Sequence, residues 1–165
     1  MICNREKCVI HVDLKTQRLV LKHADEPVFE TTIASARKGA GEINGSEQTP
    51  RGWHIVRAKI GKGLKENTIL KGRRVTGELY SERLRHQFPK RDWILTRIIW
   101  LSGLEPGFNR LGNVDTMQRF IYIHGCPDGD PMGKRSSHGC IKMRNDDIVQ
   151  LFDLVDIGTK VFITE

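Results

Sequence analysis

Alternating apolar and polar residues dominate the first third of the chain and predict short β-strands. From Cys8 to His23 the alternation is interrupted by the segment 13–17, which predicts two strands joined by a tight turn. Val28 to Ala34, rich in threonine and β-branched residues, and Trp53 to Ile60 predict two further strands. The intervening segment, Arg37 to Arg51, is punctuated by glycine, asparagine, serine and proline and is therefore expected to be a loop.

The second half of the chain carries longer apolar runs and one helical pattern. Trp93 to Leu101 and Phe120 to Ile123 are nearly continuous in apolar residues, which is typical of strands buried on both faces. A helix is predicted over about residues 146–155, with Asn145 as its N-cap and two aspartates in its first turn. Its apolar face consists of Ile148, Leu151, Phe152 and Val155. Lys160 to Thr164 predicts a final strand.

The segment from Gly61 to Asp92 has no clear period. Tyr80, Leu84 and Phe88 are spaced for a short helix, but four glycines equally favour an irregular excursion, so we interpret the segment as a variable insertion. Taken together, these patterns predict a mainly β fold of mixed strands with one helix near the C-terminus, in a single domain spanning residues 1–165. At this length about 70% of the unfolded surface can be buried in one core.

Composition and charge narrow the class of protein. The formal net charge is +7, which makes an anionic substrate plausible without implying nucleic acid. No apolar stretch approaches the length of a membrane span, and Met1 to Lys22 alternates instead of forming the apolar core of an export signal. We therefore expect a cytoplasmic protein, or a periplasmic one if a signal precedes Met1. The oligomeric state is not predicted.

Four cysteines are present, and in a reducing compartment they are expected to be thiols. Cys3 and Cys8, near the start of the chain, are expected to be incidental. Cys126 and Cys140 each close a His-Gly-Cys tripeptide, at 124–126 and 138–140. A thiol beside glycine, basic residues and imidazoles offers the ingredients of an activated nucleophile.

The spacing of these residues suggests how they act together. His124 follows a buried apolar run, and the glycine- and proline-rich segment 126–137 predicts a loop that can bring Cys140 beside it. His124 would then accept the thiol proton, oriented by a backbone carbonyl such as that of Gly125. The amides of Gly139 and Cys140 could hold a developing oxyanion.

The flanking charges suggest an ionised thiol. Four basic residues surround Cys140 in sequence and are expected to favour thiolate over thiol. They are Lys134, Arg135, Lys142 and Arg144.

The stretch from Ile121 to Met143 resembles the signature of the L,D-transpeptidase catalytic domain (YkuD-type) family. In that family a histidine, here His124, is followed after a loop by Ser/Thr-His-Gly-Cys, here residues 137–140. The family's upstream Thr-Pro-x-Gly-aromatic element is matched by residues 49–53. The resemblance covers most of the chain from about Ile10 onward.

The resemblance implies a β-sandwich-like or partly closed barrel domain that acts on peptidoglycan stem peptides or muropeptides and uses no cofactor or metal. Cys140 would attack the carbonyl of the third stem residue, usually meso-diaminopimelate, and release D-Ala, leaving a thioester. His124 would be the general base and acid, and Gly125 the orienting carbonyl. Ser137, His138, Lys142 and Arg144 would bind substrate. Lys142 departs from the Arg or Asn often found there, and Cys126 from a small hydroxylated residue.

The acceptor of the acyl group decides the reaction. Water gives an L,D-carboxypeptidase suited to murein recycling, and we expect this reaction in a chain without an export signal. An amine from a second stem gives a 3-3 cross-link, which is the alternative.

Two hypotheses of other classes compete with the enzyme. The first is a zinc site, since His124, Cys126, His138 and Cys140 are suitable ligands. The second is a catalytically silent peptidoglycan-binding module that forms no thioester. Cys126 is expected to pack in the core, with a regulatory disulfide to Cys140 as a further option.

Overall fold

The structure, a computed structural model, describes residues 7–165. Ten strands and two α-helices are formed in this part of the chain. The strands are β1 (Cys8–Asp13), β2 (Arg18–His23), β3 (Glu26–Thr32), β4 (Gly52–Ile60), β5 (Thr68–Lys71), β6 (Arg74–Leu79), β7 (Ile94–Gly103), β8 (Tyr122–Gly125), β9 (Ile141–Met143) and β10 (Lys160–Thr164). The helices are α1 (Glu82–Gln87) and α2 (Asn145–Leu154).

The strands form one mixed sheet in the order β3-β2-β1-β10-β4-β7-β5-β6, and β8 pairs with both β7 and β9. The pairs β1–β10 and β8–β9 are parallel, and the remaining pairs are antiparallel. The predicted mainly β fold of mixed strands is confirmed. The sheet ends at β3 and β6 and is therefore open instead of closed into a barrel.

The first hairpin forms as its pattern predicts. Strand β1 alternates buried and half-buried residues, and the Asp13 carboxylate accepts the amides of Lys15 and Thr16 in the turn. Cys8 differs from the expectation because it is disulfide-bonded, whereas Cys126 and Cys140 are free thiols. Cys3 lies outside the described residues.

Helix α2 covers β7 and β8, against which it buries Ile148, Leu151 and Phe152. It spans residues 145–154, one residue earlier than predicted. The N-cap assignment was wrong, because Arg144 holds the cap position and Asn145 is buried inside the helix. The side-chain amide of Asn145 instead accepts a hydrogen bond from the buried Thr96 hydroxyl and donates one to the half-buried Asn67, so its side chain is engaged by these two partners and does not cap the helix.

The segment 61–92 is more regular than its sequence indicates. It contains the hairpin β5–β6 and the short helix α1, which begins after the N-cap Ser81. Most residues of β6 are exposed, so the strand lacks the alternation that would reveal it. Within residues 7–165, neither helix has the length and apolarity needed to cross a bilayer.

Candidate active site

Parallel pairing of β8 with β9 brings the two predicted reactive residues together. Ile123 lies opposite Ile141, so Cys140, one residue before β9, lies beside Tyr122, whose amide donates to the Cys140 sulfur over 3.3 Å. Tyr122 and His124 are two residues apart on β8 and therefore project from the same face. His124 and Cys140 consequently line one cavity of about 520 Å³.

The geometry of His124 suits a proton acceptor. Its Nδ1 lies 2.7 Å from the Gly125 carbonyl oxygen, to which it donates its hydrogen. Nε2 is then the unprotonated nitrogen of the neutral ring. Burial lowers the pKa of His124, although the Asp92 carboxylate and the Gly125 carbonyl act in the opposite direction. The contact expected between His124 and Gly125 is present, and its role in catalysis stays a prediction.

Cys140 rests as a thiol, contrary to the expectation from its basic flanks. Burial raises the pKa of Cys140 to about 12; the Tyr122 amide and Arg119 lower it, and Asp92 raises it further. Three of the four predicted cations have other partners. Lys142 binds Asp130, Arg135 binds Glu165, and Arg144 donates to the Asp128 carbonyl.

The turn that presents Cys140 is fixed by two hydroxyl groups. The Ser137 hydroxyl donates to the Cys140 carbonyl and accepts the Gly139 amide over 3.2 Å. The buried Thr49 hydroxyl accepts the Ala36 amide and donates to the Gly139 carbonyl over 2.9 Å. Gly139 has a φ of +130°, and a Cβ there would meet the Ile121 side chain at 3.2 Å, so this position requires glycine.

These contacts change two expected roles. The Gly139 amide is engaged by Ser137, so it does not offer a free oxyanion donor, and the amide of Cys140 is the remaining candidate of the two. Ser137 lines the cavity, but its hydroxyl is committed to holding the turn. His138 is exposed and lines the same cavity, and its role in substrate binding stays a prediction.

Lys142 and Arg144 lie away from the cavity that holds Cys140. The Lys142 ammonium is 3.0 Å from Asp130, and both side chains are only 10% exposed. Although burial opposes it, hydrogen bonding to Lys142 and Arg85 holds the pKa of Asp130 below its usual range. Lys142 therefore neutralises a buried carboxylate and lines a neighbouring basic cavity of about 360 Å³. Arg144 precedes α2 and lines neither cavity.

Three charged residues of the Cys140 cavity were missed by sequence analysis. Arg73 lies in the turn between β5 and β6, Asp92 just before β7, and Arg119 just before β8. Arg119 donates to four oxygens of the loop 41–48 and so anchors that loop beside the cavity. No local sequence signal identifies these residues, since long-range strand pairing brings them to the site.

The geometry does not support a disulfide between Cys126 and Cys140. Its sulfur is buried and donates to the Met143 carbonyl, and burial raises its pKa to about 12. Gly125 pairs with Met143, so Cys126 lies about four residues further along the strands than Cys140, on the order of 13 Å. That separation is too large for a disulfide.

Among residues 7–165, no group of three or more histidine, cysteine and acidic side chains is arranged to hold a metal ion.

Comparison with known proteins agrees with the fold and the motif. The YkuD family, described as the L,D-transpeptidase catalytic domain, matches residues 7–163. The chain therefore belongs to the YkuD family of L,D-transpeptidase catalytic domains, as its motifs predicted.

Individual relatives share parts of the chain. A putative L,D-transpeptidase of Bacillus subtilis, YqjB, is 42% identical over 59 residues, which is 36% of this chain and 32% of the relative. A probable L,D-transpeptidase of Escherichia coli, YbiS, is 48% identical over 48 residues, 28% of this chain and 16% of the relative. The matched segments thus span a third or less of these curated relatives.

Solved structures share the fold over nearly the whole chain. L,D-transpeptidase 3 from Mycobacterium tuberculosis superposes with a TM-score of 0.60 at 16% identity, over 96% of this chain and 61% of that one. An L,D-transpeptidase of Enterococcus faecium superposes with a TM-score of 0.58 at 21% identity, over 96% of this chain and 50% of that one.

Proposed function

We propose that this protein is a cysteine-dependent acyl-transfer enzyme that cleaves the bond between the diamino acid, usually meso-diaminopimelate, and D-Ala in peptidoglycan tetrapeptide stems. One observation carries the proposal. Cys140 and His124 line the same cavity, and the Gly125 carbonyl engages Nδ1 of His124 so that Nε2 is the nitrogen able to take a proton.

The proposed reaction follows from the protonation states of the two residues. Because the Cys140 pKa is raised and the His124 pKa is lowered, the resting pair is a neutral thiol and a neutral imidazole. Nε2 of His124 takes the thiol proton as sulfur bonds to the scissile carbonyl carbon, and the carbonyl oxygen becomes an oxyanion. His124 then returns the proton to the nitrogen of D-Ala, the C–N bond breaks, and a thioester on Cys140 remains.

The thioester is released by an acceptor. His124 removes a proton from water or an amine, which attacks the carbonyl carbon, and the Cys140 sulfur leaves and is reprotonated. Water as the preferred acceptor, giving a carboxypeptidase, stays the prediction from the sequence. Transfer to an amine is the second candidate, supported by family membership and by the names of the relatives as transpeptidases.

A structural neighbour indicates a chemical probe for the proposed nucleophile. L,D-transpeptidase 3 of Mycobacterium tuberculosis has been crystallised with a faropenem-derived adduct. If Cys140 is the nucleophile, faropenem should acylate it in this protein as well. A silent binding module would give no adduct.

The reaction products show whether water or an amine is the acceptor, and whether Cys140 is the nucleophile. The protein is incubated with a disaccharide tetrapeptide, with and without a second stem as amine donor. Tripeptide alone supports hydrolysis, and dimers support transpeptidation. Cys140→Ala should abolish both products, while Cys126→Ala should retain them because its buried sulfur lies outside the cavity. Either product from Cys140→Ala would remove Cys140 from the mechanism.

The cellular location is a separate proposal. The cytoplasm was expected from the sequence, with the periplasm as the alternative. Fractionation of cells that produce the natural protein decides between them.

A further inference from the structure

Of the two arginines that line the Cys140 cavity, Arg73 has more hydrogen-bond donors uncommitted, since it makes one side-chain hydrogen bond and Arg119 makes four. Arg73 forms the two-residue turn between β5 and β6 with Gly72, and both residues have positive φ, at +63° and +54°. Such a turn favours glycine or asparagine, so a long side chain is unusual there. Arg73 is half-buried, whereas its neighbours Lys71, Gly72 and Arg74 are exposed.

The guanidinium group of Arg73 is held in a defined orientation. Its carbon lies 4.6 Å from the centre of the Trp100 ring and 4.9 Å from that of Phe120. One nitrogen donates to the Tyr122 hydroxyl over 3.0 Å. Arginine has five such donors, and stacking on aromatic faces leaves the edge of its planar group available for a carboxylate.

No carboxylate in the described part of the chain forms an ion pair with this group. Among residues 7–165, none of the ion pairs includes Arg73. The other guanidinium in the cavity, that of Arg119, is committed to four oxygens of the loop 41–48. Lys142, which the sequence suggested for binding a substrate carboxylate, is paired with Asp130.

Tyr122 links Arg73 to the reactive thiol. Its backbone amide donates to the Cys140 sulfur, and its side-chain hydroxyl accepts from Arg73. The path from the sulfur to the guanidinium group therefore runs through one tyrosine residue and two hydrogen bonds, of 3.3 and 3.0 Å. In a tetrapeptide, the terminal carboxylate belongs to the residue that directly follows the carbonyl attacked by Cys140. Consecutive Cα atoms are about 3.8 Å apart, so this carboxylate lies close to the reacting carbonyl.

We propose that Arg73 binds the C-terminal carboxylate of the departing D-amino acid and thereby selects peptides that end one residue after the scissile bond. This inference rests on the proposed function and deepens it. Arg73 holds the donor peptide through a charge-assisted, bidentate contact while sulfur attacks the preceding carbonyl. A longer stem, or one with a blocked terminus, lacks the charge at that position.

The test compares two substrates that differ only at the terminus. One is a stem tetrapeptide with a free carboxylate, and the other is the same peptide as its C-terminal amide. The wild-type protein should cleave the acid roughly 10- to 100-fold faster in kcat/KM, the range expected for a charge-assisted hydrogen bond. Arg73→Gln should lower kcat/KM for the acid by a similar factor and leave that for the amide unchanged.

Matched variants distinguish carboxylate recognition by Arg73 from a general structural effect of its substitution. Arg74→Gln removes a cation from the adjacent, exposed position and should keep the wild-type preference. Arg73→Lys keeps the charge without the planar fork and should restore part of the preference. An equal loss with both substrates in Arg73→Gln, or an unchanged preference, would overturn the inference.

Binding gives a readout that does not depend on turnover. Affinities of the two peptides are measured with Cys140→Ala and with the double variant that adds Arg73→Gln. The acid should bind roughly tenfold or more tightly than the amide only when Arg73 is present. Such discrimination without any cleavage by wild-type protein would refute the proposed function and uphold carboxylate recognition. Equal binding of both peptides would refute the inference itself.

Discussion

At the scale of single residues, Cys140 and His124 are both uncharged before the substrate binds. Burial favours the neutral forms of both Cys140 and His124, so sulfur must be deprotonated as it attacks. The positions of the two residues in the motif were predictable from sequence. Their protonation states were not, because a sequence shows cations such as Arg135 and Lys142 without showing the carboxylates that neutralise them.

Alkylation by iodoacetamide tests the state of the thiol. With the Cys140 pKa at about 12, the alkylation rate of Cys126→Ala should rise about tenfold per pH unit from pH 7 to pH 10, because the thiolate fraction rises in that proportion. Peptide mapping by mass spectrometry assigns the modified residue. A plateau below pH 8 would show a thiolate already formed at neutral pH and would contradict a neutral resting pair.

At the scale of elements, the site depends on three segments that are far apart in sequence. The buried run before His124 and the motif ending in Cys140 predicted two of them. The third, the hairpin β5–β6, was missed because its second strand is exposed, although it carries Arg73 into the cavity wall. The loop 37–51 was predicted correctly. Its role in supporting the turn that presents Cys140 is visible only from contacts such as the hydrogen bond from Thr49 to the Gly139 carbonyl.

Substitution of Thr49 tests that support. Thr49→Val removes the hydroxyl that joins the Ala36 amide to the Gly139 carbonyl, leaving two buried groups without a partner. We expect the rate of Cys140 acylation to fall about tenfold, since a loss of about 1.4 kcal/mol in positioning corresponds to that factor.

Thr49→Ser is the matched control because it keeps the hydroxyl, and it should restore most of the rate. Acylation is measured per folded protein, with circular dichroism to establish folding. Acylation of folded Thr49→Val at the wild-type rate would show that this hydrogen bond does not position the nucleophile.

At the scale of the whole molecule, one open sheet carries the site, and its stability depends on buried polar contacts as well as the apolar core. His54 on β4 is fully buried, with Nδ1 3.0 Å from the Gly52 carbonyl and Nε2 3.0 Å from the Thr116 hydroxyl. Alternation predicted β1, β2, β4 and β10, and continuous apolar runs predicted β7 and β8, since burial of one or both faces leaves a local pattern in the sequence. The strand order and the burial of His54 depend on pairings between distant segments.

The pH dependence of stability tests the contribution of His54. Burial lowers its pKa to about 4, compared with 6.5 in the unfolded chain. As pH falls from 6.5 to 4, the unfolded chain gains a proton that the folded chain does not, so the free energy of unfolding should decrease by up to about 3 kcal/mol. Denaturant titrations of wild type and His54→Gln at pH 7 and pH 4.5 measure the difference. An identical decrease in both proteins would contradict this assignment.

The most direct measurement of the central claim is the intact mass of the protein during reaction with a stem tetrapeptide. We predict a covalent adduct with the mass of the peptide minus D-Ala, mapped to Cys140 and absent from Cys140→Ala. Product formation without any adduct on Cys140, or with an adduct on another residue, would contradict the account.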